Sequence, residues 1–164
     1  MIFLKTDQGD AIRTLDINSA SDALHKMYTA ALLLTGSSVR AERSVMEAIG
    51  TAIPCNGSAS AVFEGVIKIA AKQEVTDGEE RSSEQALPAS WLPPELRRMM
   101  VLSKTDRQAF VLRLLLGLPR DQCSQLLQLG NEELDGHIVS AVLALAYIEA
   151  EETTIQERSA RWLE

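Results

Sequence analysis

Apolar side chains recur at helical spacing through most of this chain. From Ser19, which can cap a helix, Leu24, Met27, Ala31 and Leu34 fall on one face, with Asp22 in the first turn and Gly36 closing the end. A second stripe, Val45, Ala48, Ile49 and Ala52, predicts a helix from Ser37 or Ser38 to Ile53, stopped by Pro54. A third, Phe63, Val66, Ile67 and Ala70, predicts a helix over about Ala59 to Gln73. Three helices with short connections form a small bundle. Residues 1–18 carry no clear period and are expected to be an arm or a short extra element.

The pattern then stops and later resumes. Residues 74–90 hold Glu74, Asp77, Glu79, Glu80 and Glu84 against Arg81, with no apolar period, as in a solvated tether. Beyond them a helix is predicted from Thr105 to Leu116, with Phe110, Val111, Leu114 and Leu115 inward and Gly117 ending it. A short helix opens at Pro119 and buries Cys123, Leu126 and Leu127. After the turn at Gly130, Asn131 is expected to cap a long helix with the stripe Leu134, Ile138, Ala141, Val142, Leu145 and Ile148. The acidic tail, residues 150–164, continues that helix or frays.

Composition narrows the class. The chain has 164 residues, 46% of them hydrophobic and 4% aromatic, so it is globular with an aliphatic core. Abundant Ala and Leu favour helix, and the fold expected is all-α, in two small helical domains joined by the acidic linker. The net charge of −7 argues against general affinity for nucleic acid or anionic membrane. No run approaches the ~18 uncharged apolar residues of a membrane helix, and the start is not a signal peptide, so a cytoplasmic protein without membrane insertion is expected. Cys55 and Cys123 lack metal or redox spacing, and His25 and His137 are too isolated for a metal site. No phosphate loop or nucleophile motif occurs, and no catalytic residue, metal or cofactor is expected.

FVLRLLLGLPRDQCSQLLQLGNEELDGHIVSAVLAL resembles region 4 of the sigma-70 family, particularly the small extracytoplasmic-function type. Arg107, Phe110, Leu112, Arg113, Gly117, Leu118, Leu127 and Ala141 fall in step with that helix-turn-helix. ALHKMYTAALLLTGSSVRAERSVMEAIGTA is similar to region 2 through Thr35, Gly36, Ala41, Glu42, Val45 and Glu47. The resemblance implies a region 2-like bundle at 19–73 and a region 4-like helix-turn-helix at 91–149. It also implies contact with the clamp of core RNA polymerase through Glu42, Arg43, Met46 and Glu47, although Arg43 stands where Asp is usual and Met46 where Gln is usual.

The recognition helix departs most from the family. Nothing between Asp121 and Glu157 is Lys or Arg. Its reading positions are Glu133, Asp135, His137 and Ser140, whereas base reading uses Arg, Lys, Asn or Gln. Sequence-specific DNA binding is therefore not expected of it. Val139, Leu143 and Tyr147 instead recur on the face that would meet DNA, as a surface for protein packing. That surface is explained by burial within the monomer, by a partner such as an anti-sigma-like protein, or by a homodimer. Arg97, Arg98, Lys104, Arg107, Arg113 and Arg120 cluster upstream. They are read either as phosphate contacts or as charges paired within the chain.

Overall fold

The computed structural model describes residues 9–52, 58–73 and 92–161, so Cys55 and the acidic 74–90 segment lie outside the described residues. Seven α-helices follow in order: α1 (Gly9–Thr35), α2 (Ser38–Ala52), α3 (Ala59–Lys72), α4 (Pro94–Arg98), α5 (Lys104–Phe110), α6 (Arg120–Leu127) and α7 (Asn131–Arg161). A short 3-10 turn, Met99–Val101, comes after α4, and a π-helical turn, Val111–Leu115, extends α5. The described residues are all-α. Two groups form, α1–α3 as a bundle and α5–α7 around the α5–α7 contact, and they meet where α1 touches α5 and α3 touches α6.

Local chemistry sets most boundaries. The Ser58 hydroxyl accepts from Ala61 N–H at 3.3 Å and starts α3, and the Ser103 hydroxyl accepts from Asp106 N–H at 3.2 Å and starts α5. At the end of α6, Gln128 turns left-handed (φ 56°), and Leu129 N–H closes on Ser124 O at 3.0 Å.

Two boundaries differ from expectation. The first helix begins at Gly9 rather than Ser19, so residues 9–18 belong to α1. Asn131 does not cap α7. It is the first helical residue, and its side chain accepts from the Ser124 hydroxyl at 2.6 Å. The capping place falls to Gly130, whose N–H donates to Glu133 Oε2 at 3.4 Å while its carbonyl accepts from Leu134 N–H at 2.9 Å.

The core is where the two groups meet. Ala30, Ala31, Leu32, Leu33, Leu34 and Thr35 are buried in an unbroken row, so the end of α1 is covered on every side. A one-face stripe predicts only Ala31 and Leu34 of these. The buried cluster continues from Val45 and Val66 through Leu92, Leu102 and Leu112 to Leu134 and Ala141.

The expected inward face of α5 is also shifted. Leu116 N–H bonds Val111 O at 2.9 Å, five residues back, which widens the turn. Val111 and Leu112 are therefore buried, while Leu114 and Leu115 are 50% and 46% exposed. Val142, placed on the core stripe of α7 by its spacing, is 45% exposed, because at 100° per residue it stands just outside the arc that Leu134, Ile138, Ala141, Leu145 and Ile148 span.

Candidate interaction surface

Helix α5 carries Lys104, Arg107 and Gln108 at i, i+3 and i+4, hence on one face. That face meets the carboxyl ends of α1 and α3, whose last carbonyls have no partner within their own helices. Arg107 Nε donates to Leu33 O at 2.9 Å, and Nη1 donates to Leu102 O at 3.3 Å. Gln108 Nε2 donates to Leu34 O at 3.2 Å and Ala71 O at 3.4 Å, bridging α1 and α3. Lys104 Nζ donates to Gln73 O at 2.8 Å, just past the end of α3. Cations at helix carboxyl ends also oppose the negative pole of the helix dipole.

The other upstream cations are engaged similarly. Arg97 Nη2 donates to Leu92 O at 3.2 Å, and Arg113 Nη1 donates to Leu118 O at 3.2 Å. Arg120 Nη2 donates to Asn131 O at 3.0 Å and pairs with Asp135 across the turn before α7. Arg98 is half-buried at the end of α4. Arg107 itself is buried, and burial first, then the charge of Arg40, pulls its pKa down.

The α7 residues that the resemblance assigns to base reading turn toward their own chain. Glu133 holds the Gly130 N–H and Asp135 holds Arg120. His137 Nδ1 lies 2.7 Å from Asp106 Oδ1, and the Ser140 hydroxyl donates to Asp106 Oδ2 at 3.3 Å. Asp106 thus fastens α5 to α7. Burial pushes its pKa up, but hydrogen bonds from His137, Ser103 and Ser140, with the charge of His137, outweigh this and hold it below the ordinary 3.8.

A depressed carboxyl pKa contributes stability that is present above the unfolded value and lost as pH falls through the folded one. Acid titration of the folded protein should therefore loosen the α5–α7 contact as pH drops below 3.8. Asp106→Asn should flatten that acid limb, measured by circular dichroism against pH. An unchanged limb in the variant would remove Asp106 as its cause.

The outward side of α7 is apolar. Val139, Leu143 and Tyr147 are 57%, 65% and 65% exposed, with Val142 beside them, so the N-terminal bundle does not cover this strip. On α2 the inward face is Ala41, Ser44, Val45 and Ala48. Glu42, Arg43, Met46 and Glu47 are all exposed on its opposite side. Cys123 is buried under α6, and burial raises its thiol pKa, as for a core residue.

Asp106 and Gln108 are not singled out by the sequence pattern. The signal for them is the polar KTDRQ run at the start of an otherwise apolar helix, since such a run needs partners when its helix is buried. Among the described residues no helix is long and apolar enough to cross a membrane, and no group of three or more His, Cys, Asp or Glu could hold a metal. Comparison of the chain with protein-family models, curated proteins and solved structures gives no match.

Proposed function

We propose that the chain is a sigma-factor-like helical module that works in bacterial transcription regulation through protein contacts, without reading DNA through α7. One observation carries this. The reading positions Glu133, Asp135, His137 and Ser140 are spent on bonds within the chain, while Val139, Leu143 and Tyr147 stand exposed beside them. Four acids on the first turns of α7 and beside it (Asp121, Glu132, Glu133 and Asp135) would repel phosphate, against Arg120 alone among them.

Two protein partners are favoured by different surfaces. The exposed Glu42, Arg43, Met46 and Glu47 of α2 favour core RNA polymerase, as the family resemblance implies. The apolar strip of α7 favours an anti-sigma-like protein.

Retention of the full chain on core polymerase and retardation of promoter fragments over a salt series test the reading together. The expected result is retention on polymerase or on an anti-sigma protein, with no retarded DNA. DNA binding that weakens steeply with salt would overturn it. So would binding to neither protein class.

A further inference from the structure

We infer that the cleft between the two helix groups binds a small amphipathic anion, an alkyl carboxylate, with its chain in the cleft and its head at Lys26. A cavity of about 540 Å³ opens there, within the size range of small-ligand sites. Its floor is Ala30, Leu33, Leu92 and Val111, all buried, and the half-buried Phe63 of α3 forms part of its wall. The π-helical turn supplies more of the wall: Leu115, expected in the core, is 46% exposed and lines this cavity instead. π turns of this kind recur at functional sites. Among the described residues none of α2 or α7 lines the cavity, so the site is separate from the surfaces assigned above to protein partners.

Charge selects the head group. Floor and wall are apolar, and the polar side chains lining the cavity, His25, Lys26 and Thr29, all stand on α1 within about one turn of each other. The Thr29 hydroxyl already donates to His25 O at 2.9 Å. Lys26 is exposed and has no hydrogen bond or ion pair among the described residues. No Asp or Glu among those residues lines the cavity. Glu64, next to Phe63, instead pairs with Lys68 at 3.8 Å, and Asp22 and Glu95 are exposed outside the lining. A cationic head would meet Lys26 as a like charge, whereas a carboxylate pairs with it. One lysine matches one negative charge. The bound chain touches α1 and α3 of one group and the turn after α5 of the other, so it stabilises their joint by mass action.

The test titrates the full chain calorimetrically with hexanoate, octanoate and decanoate, and with octanol and octylammonium as head-group controls. Each two-carbon step should tighten binding on the order of tenfold, as burial of two methylenes predicts. Octanoate should bind about threefold more tightly than octanol, the gain of one exposed ion pair, and octylammonium should bind most weakly. Lys26→Gln should erase the difference between octanoate and octanol. Leu115→Asp should weaken octanoate at least about tenfold, because it sets a carboxylate in the apolar wall. Both side chains are exposed, so both variants are expected to fold, checked by the unfolding midpoint without ligand.

Binding of none of these compounds, or affinity that does not rise with chain length, would overturn the inference. So would octanoate and octanol binding alike to the unmodified chain, or a preference for octanoate that survives Lys26→Gln. Octanoate binding untouched by Leu115→Asp in a folded variant would place the compound elsewhere and overturn it as well.

Discussion

Arg107→Met is expected to destabilise the protein by about 2 to 3 kcal/mol, read as a lowered denaturation midpoint at unchanged slope. Two terms compete. The buried guanidinium is costly to desolvate, and its pKa is drawn down by burial and then by Arg40, so removing the charge returns part of that cost. Against this, Leu33 O and Leu102 O lose their donor in a buried place. An unsatisfied buried acceptor costs about 1–3 kcal/mol each, so the loss wins.

Geometry sharpens the expectation. Gly36 has φ 72°, and a Cβ there would sit 2.5 Å from Arg107 Nη2. The guanidinium therefore occupies space that any other residue at 36 would take. Gly36→Ala should weaken the same contact from the α1 side, and its cost should shrink in the Arg107→Met background. A neutral or stabilising Arg107→Met would mean that desolvation dominates at this site and that the Arg107 bonds add nothing net to the joint, which Gln108, Lys104 and apolar contact would then hold.

Leu34→Ala is expected to cost more, about 3 to 4 kcal/mol, because the site cannot collapse around the missing atoms. Leu34 is fully buried, within the row from Ala30 to Thr35 that both helix groups cover. Its carbonyl also accepts from Gln108, so the cavity would open beside the bond that ties α5 to α1. The effect should reach both groups. Hydrogen exchange should speed up in α2 and in α5 alike, and unfolding should remain one transition. Acceleration confined to α1–α3 would show that the second group stands on its own. A change under about 1 kcal/mol would place the site among those that relax readily.

Much of this architecture is legible in the chain. Six of the seven described helices are expected from it, because apolar residues at three- and four-residue intervals, Ser caps and Gly stops are local signals. The buried Val45, Ala48, Val66, Ile67, Leu134 and Ala141 come from those intervals directly. The exposed strip of Val139, Leu143 and Tyr147 is legible for the same reason, since it is the face left over once the stripe is buried.

The misplacements have local physical causes. Leu114 and Leu115 are expected inward only if a regular 3.6-residue period runs through the end of α5. One π turn rotates the residues beyond it, and no side chain there announces the turn. Asn131 looks like a cap by residue type, but the cap is defined by which backbone group begins the ladder, and Gly130 does that.

The meaning of the cations is the least legible part. For Lys104, Arg107 and Arg120 the acidic balance of the chain favours paired charges over phosphate contacts, but sequence gives their number and not their partners. Tertiary structure decided that Arg107 and Lys104 meet the carboxyl ends of α1 and α3, and that Arg120 meets α7. The sequence by itself determined the helices and the cation-free, apolar outer face of α7, since both depend on short-range periodicity. Which polar side chains turn inward depends on contacts across 31 to 74 residues of chain, and only the packing of the two helix groups brings those partners together.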